Sequence, residues 1–145
     1  SLQPIHIAND VPLIEKHWNE SKEQAYSLKS IITAGIPYAF GSDTPVETIN
    51  PFQGIYSALE RRTDNNPALP QFRPEQSLTA IEAILGYTIG AAKSSKSEKE
   101  RGSIENGKLA DLLVIRDYRN YPASFWLEAK SELTMLDGKI VWQED

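Results

Sequence analysis

Cysteine is absent from the 145 residues, methionine occurs once and histidine only twice. Without thiols there can be no disulfide framework and no thiolate nucleophile, and a metal site would have only imidazoles and carboxylates to draw on. The lack of cysteine fits a reducing, cytoplasmic setting. Positive charge is also in deficit: 15 Lys and Arg stand against 20 Asp and Glu, a net charge of −5. With no basic stripe along the chain, a phosphate backbone is a poor partner, so nucleic acid is excluded. Apolar runs fall short of the roughly 18 residues that a membrane span requires, and nothing resembles a signal peptide. A Gly-rich phosphate loop and a Ser-His-Asp arrangement are missing as well.

What is present begins with Gly35-Ile36-Pro37-Tyr38-Ala39-Phe40-Gly41-Ser42-Asp43-Thr44-Pro45. A short apolar run bounded by turn residues reads as a buried parallel strand, with Pro37 tolerated only near its start. Asp43 then falls just past the strand's carboxyl end. A carboxylate there is a candidate metal ligand or general base, or else a turn-former or helix cap ahead of Thr44-Pro45.

Around this run the periodicity predicts strand, helix, strand, helix. Leu2 to Ile7 reads as a strand, followed by a loop at Ala8-Asn9-Asp10. Lys22 to Ala34 reads as a helix, with Ala25, Leu28, Ile31 and Ile32 at helical spacing and Gly35 closing it. A further helix is expected from Pro51 to Arg62. Such alternation is the mark of parallel β/α units. Asp64 to Gln76 reads as a surface loop of the length used for lids. Thr79 and Glu82 have capping-box spacing, and Leu78, Ile81, Ile84, Leu85, Thr88, Ile89 and Ala92 trace the stripe of a packing helix, with Tyr87 and Thr88 read as core. Residues 93–101 contain only Ser, Lys, Glu and Arg and read as a solvated connection. Beyond them come a tight turn at Asn106-Gly107, a strand at Leu112 to Ile115, and a hairpin at Asp137-Gly138 joining Leu133–Leu136 to Ile140–Trp142.

The stretch from Gly35 through Ser42-Asp43-Thr44-Pro45-Val46, then Asn50-Pro51 and Tyr87-Thr88, resembles family 3 of the metal-dependent amidohydrolase superfamily, its YtcJ-like branch. Gly102-Ser103-Ile104-Glu105, Gly107-Lys108-Leu109-Ala110-Asp111-Leu112 and Asp137-Gly138-Lys139 resemble that family's C-terminal signature. The resemblance implies an α/β fold: the last two β/α units of a (β/α)8 barrel over 1–93, a charged linker over 94–101, and C-terminal strands of a small β-sandwich over 102–145. A complete barrel needs about 250 residues, and the chain opens at Ser1 without an initiator Met, so it is expected to be a C-terminal portion of a longer protein.

The resemblance further implies a hydrolase of C–N bonds that uses a divalent ion, zinc by expectation, with most of its ligands upstream of Ser1. Asp43 would be both metal ligand and catalytic base, and His6, in Gln3-Pro4-Ile5-His6, would contact a small-molecule substrate. Alternatively, His6 is a partly exposed strand-end histidine. Asp10 reads as a helix cap or as a partner orienting His6, and Glu47 as a dipole partner of the next helix or as half of a carboxylate pair with Asp43. Arg61 and Arg62 read as cations at a helix terminus or as ligands of a substrate carboxylate, Asp111 as a turn or ion-pair residue, and His17 beside Trp18 as a surface residue. The competing reading is a non-catalytic module for binding, structure or oligomerisation. Taken alone, the residues should lack activity and associate, with another copy or with the rest of the parent chain.

Overall fold

The structure, a computed structural model, describes residues 1–18 and 20–144. The first expected strand is almost entirely helical. Leu2 alone pairs, in parallel, with Phe40: its N–H donates to the Ala39 carbonyl (2.8 Å), and its own carbonyl accepts the Gly41 N–H (3.1 Å). Pro4 then opens a 3-10 turn over Pro4–His6, which runs directly into helix α1 (Ile7–His17). A proline has no N–H for a strand ladder, and its fixed φ suits the first turn of a helix. The Ala8-Asn9-Asp10 loop is therefore absorbed into α1, and the second expected strand is reduced to the same single bridge at Phe40.

The expected helix from Lys22 to Ala34 is cut in two. A 3-10 turn spans Lys22–Gln24, Tyr26 takes a left-handed conformation (φ +52°), and helix α2 covers only Leu28–Thr33. Distant arginines brace the break: Arg73 donates to the Ala25 carbonyl (2.7 Å) and Arg61 to the Tyr26 carbonyl (3.0 Å), which also accepts the Leu28 N–H (2.8 Å). Gly35 ends α2 as expected. Its φ is +68°, its N–H bonds the Ile32 carbonyl and the Ile36 N–H bonds the Ile31 carbonyl, which is a Schellman closure.

Helix α3 (Pro51–Glu60) is capped by Asn50, whose side-chain oxygen accepts the Phe52 N–H (3.0 Å). The Asp64–Gln76 segment after it is tied down rather than free. Arg62 pairs in an antiparallel bridge with Gln71, Phe72 is buried, and Gln76 binds both the N–H and the hydroxyl of Ser30.

Helix α4 (Ala80–Leu85) carries the capping box: the Thr79 hydroxyl accepts the Glu82 N–H (3.2 Å), and the Glu82 carboxylate accepts the Thr79 N–H (2.8 Å). Burial raises the Glu82 pKa, but hydrogen bonds from Lys29 and Thr79 outweigh it and hold the carboxyl below its ordinary value. The helix continues through a π turn (Gly86–Gly90) into α5 (Ala91–Ser94). Its buried face follows the expected stripe only in part: Leu78 and Ala92 are buried and Ile84 packs against the core. Ala83 and Gly86 face inward while Ile81, Leu85 and Thr88 are exposed. Small residues win that face because the helix lies against the Tyr38–Phe40 backbone: the Gly86 carbonyl accepts the Phe40 N–H (2.9 Å), and a Cβ on Gly90 would lie 2.4 Å from the Tyr38 oxygen. Tyr87 is half-buried and packs edge-on against Phe40, in line with its reading as core; exposed Thr88 departs from it.

Residues 95–101 turn back on α5, with the Ser97 N–H on the Ala92 carbonyl (2.9 Å). The chain then crosses the helix at Gly102 (φ +92°), where a Cβ would meet the Ala92 Cβ at 2.6 Å and the Ile89 Cα at 3.0 Å. Strands β1 (Leu112–Ile115), β2 (Ser131–Leu136) and β3 (Lys139–Gln143) form an antiparallel sheet in that order, with Leu112 opposite Met135 and Leu136 opposite Lys139. Asp137 (φ +48°) and Gly138 (φ +75°) make the expected hairpin turn. A short helix that the periodicity did not disclose, α6 (Phe125–Glu128), buries Trp126 against Phe52 and Tyr118 and so docks the sheet region on α3.

The close approach of the π turn makes a clear expectation. A Cβ at Gly86 would stand 2.5 Å from the ring of Phe40, itself buried. Gly86→Ala should therefore destabilise by about 1–3 kcal/mol despite alanine's better helix propensity. Urea unfolding checks this, and a variant as stable as the parent would show that the two segments part easily.

Candidate functional site

The bridge between Leu2 and Phe40 delivers the chain to Gly41, Ser42 and Asp43 at one end of the helical layer. Asp43 is left-handed (φ +59°), a conformation aspartate tolerates, and its carbonyl accepts the Val46 N–H (2.9 Å). Its backbone thus forms a turn, but its carboxylate does not serve as a cap. Asn50 caps α3, and among the described residues no backbone N–H bonds the Asp43 side chain. Instead, His6 Nε2 lies 3.5 Å from Asp43 Oδ2, with the imidazole 21% exposed and the carboxylate 56% exposed. The carboxylate is open to a ligand, and one imidazole flanks it.

His6 occupies the N-cap position of α1 rather than a strand end. Residues three and four positions on lie on the same helical face, and both make long-range bonds. Asn9 Nδ2 donates to Glu47 Oε1 (2.6 Å), and Asp10 Oδ2 accepts the Tyr26 hydroxyl (2.5 Å). Asp10, inside the first turn of α1, therefore neither caps a later helix nor orients His6. Glu47 is bound to α1 rather than partnering the start of α3. Burial raises the Tyr26 pKa far above its ordinary value, and the Asp10 hydrogen bond and charge add to it, so the hydroxyl stays protonated.

Arg61 is the largest fully buried side chain. It donates from Nε to the Phe72 carbonyl (2.8 Å) and from Nη2 to the Tyr26 carbonyl, so it reaches neither solvent nor a substrate carboxylate. Burial, then repulsion from Arg73, lowers its pKa to about 10. Arg62 meets Glu60 (2.8 Å) and the Leu69 carbonyl. Asp111 behaves as read: it lies 3.7 Å from Arg101 and accepts the Asp137 N–H (2.9 Å). His17 is exposed at the end of α1.

Among the described residues no three His, Asp or Glu side chains converge as a metal cluster. Two clefts, of about 540 Å³ beside Ile36 and Leu85 and about 420 Å³ beside Phe125 and Glu128, include neither His6 nor Asp43. The sequence reading missed Asn9 and Tyr26. Asn9 could have been found from its spacing to His6 had α1 been foreseen, whereas nothing local to Tyr26 announces its turn.

Helices laid over a parallel bridge, an open carboxylate just past it and a separate antiparallel sheet describe a mixed α/β protein of the amidohydrolase fold. A metal-dependent hydrolase from Pyrococcus furiosus superimposes with a TM-score of 0.58 at 26% identity, over 73% of this chain and 20% of that one. The model of the amidohydrolase family matches residues 1–142, and the chain belongs to that family, in its YtcJ-like branch. The protein named amidohydrolase YtcJ of Bacillus subtilis (strain 168) is 34% identical over 146 residues, 99% of this chain and 27% of that protein. The N-substituted formamide deformylase of Arthrobacter pascens is 35% identical over 126 residues, 86% of this chain and 23% of that protein. The chain thus spans about a quarter of the length of these relatives. Among the described residues no helix is long and apolar enough to cross a membrane.

Tyr26→Phe should leave Asp10 without its donor in a part-buried site, at a cost of about 1–2 kcal/mol. A shift of the urea midpoint with an unchanged slope would register it.

Proposed function

We propose that the full-length protein is a metal-dependent hydrolase of C–N bonds in amide-like small molecules, in which Asp43 is the catalytic carboxylate. The single observation that carries this is the carboxylate itself: it stands open just past a parallel bridge, free of backbone hydrogen bonds among the described residues, with an imidazole 3.5 Å away. In this reading the parallel bridge and its helices are the last two β/α units of a (β/α)8 barrel, and the antiparallel sheet is part of a β-sandwich. The boundaries follow at 1–93, 94–101 and 102–145.

The residues present fit one corner of a divalent site. Asp43 supplies a hard oxygen donor, and the remaining ligands would come from outside this chain, since a catalytic zinc normally uses three protein ligands. The ion, zinc in our reading, would make water acidic enough to deprotonate near neutral pH. Asp43 accepts that proton at a carboxylate oxygen and returns it to the departing nitrogen. His6, whose edge reaches the same carboxylate, donates a hydrogen bond to the substrate and orients the scissile group beside Asp43. Two relatives support a C–N bond as the target by their names, the formamide deformylase and the imidazolonepropionase of Pseudomonas aeruginosa.

Asp43→Asn keeps the size of the side chain and removes the base. Turnover of an N-substituted formamide should fall by orders of magnitude while thermal stability holds. Unchanged kcat would remove Asp43 from the chemistry. For His6→Ala, KM should rise or kcat fall with metal content intact by elemental analysis; loss of the ion would place His6 among the ligands instead.

A further inference from the structure

The open carboxylate of Asp43 is only as well placed as the loop that carries it, and that loop has few anchors. Within residues 42–47 the Ser42 and Thr44 hydroxyls share a hydrogen bond (2.8 Å), the Val46 N–H bonds the Asp43 carbonyl (2.9 Å), and the Thr44 hydroxyl donates to the Glu47 carbonyl (3.3 Å). These contacts close the loop on itself. They do not fix it to the rest of the molecule.

Among the described residues two polar side-chain contacts do, and both come from one face of α1. His6 meets the Asp43 carboxylate at 3.5 Å, and Asn9, three residues later on the same face, donates to the Glu47 carboxylate at 2.6 Å. The His6 contact sits at the reacting group, where a substrate would compete for either partner. The Asn9–Glu47 contact lies at the other end of the loop, away from the reacting group, so it can hold while the first is exchanged. The helix that offers Asn9 is itself fixed, because Asp10, the next residue, accepts the Tyr26 hydroxyl.

We infer that Asn9 and Glu47 are positioning residues, joined by a hydrogen bond that keeps the Asp43 loop seated on α1 so that the carboxylate stays beside His6. The inference rests on the catalytic reading of Asp43 given above. The bond works through its geometry and not through the charge of Glu47, since an amide oxygen can accept from Asn9 as the carboxylate does.

The test compares Asn9→Ala, Glu47→Ala, Glu47→Gln, the double alanine variant and Asp43→Asn in the full-length protein, read by amide hydrogen exchange at Val46 and by turnover of an N-substituted formamide. In both single alanine variants the Val46 amide should exchange about five- to tenfold faster, while amides in α3 keep their protection. The kcat should fall by about five- to tenfold, with KM within about twofold and metal content unchanged. Glu47→Gln should restore both readouts to within about threefold, and the double variant should be no worse than either single one, because one bond is lost in each case. Unchanged exchange at Val46 in the alanine variants would overturn the inference without reference to activity. So would a Glu47→Gln protein as impaired as Glu47→Ala, or a loss of metal on removing Glu47. If Asp43→Asn keeps full turnover, the catalytic reading fails. If Asp43→Asn is inactive and the Asn9 and Glu47 variants behave as the parent, the positioning role fails alone.

Discussion

A guanidinium with no exposed surface holds three parts of this chain together. Arg61 ends α3 in a left-handed conformation (φ +53°), and its side chain lies across the ring of Phe72, 5.9 Å from the centroid. Carbonyl oxygens of Tyr26 and Phe72 take two of its donors, and among the described residues its Nη1 has no hydrogen-bond partner and no carboxylate reaches ion-pair distance. A buried charge met by dipoles rather than by a counter-ion is sensitive to any loosening, since each stranded polar group costs about 1–3 kcal/mol. The dependence runs outward from there. Arg61 fixes the Tyr26 carbonyl, Tyr26 holds Asp10, and Asp10 belongs to the helix that presents His6 to Asp43.

What could be read from the sequence was what the side chains arrange among near neighbours. Thr79 with Glu82, Pro51 in the first turn of α3, Gly35 after α2 and Asp137-Gly138 each shape their own turn or helix end, and each is where it was expected. The elements that differed are those decided from afar. No property of Ala25-Tyr26-Ser27 says that two arginines more than thirty residues away will take its carbonyls, and the apolar spacing of Ala25 and Leu28 is satisfied equally by an unbroken helix. The inward face of α4 differed in part from its reading, for a related reason. Large aliphatics mark a stripe, but close contact between backbones selects Ala83, Gly86 and Gly90, whose low hydrophobic content leaves little trace in a pattern.

The site divides in the same way. The position of Asp43 past a parallel segment follows from the short apolar run before it, and the bridge at Phe40 bears out that much of the reading. The helical setting of His6 does not follow, because Pro4 serves a strand start and a helical turn equally well. Once Ile7–His17 is a helix, Asn9 and Asp10 acquire long-range partners that no strand-and-loop reading could give them.

Gly102 carries a consequence of another kind. Ahead of it, residues 95–101 fold back on α5, with the Ser97 N–H on the Ala92 carbonyl and Arg101 beside Asp111. At Gly102 itself the backbone passes over α5 and the π turn with no room for a side chain, in a conformation that suits glycine. Hydrogen bonds hold the approach, and lack of room holds the crossing. The joint between the helical layer and the sheet is therefore indexed at one residue, where any side chain would have to push the crossing off the helix and carry the start of the sheet with it.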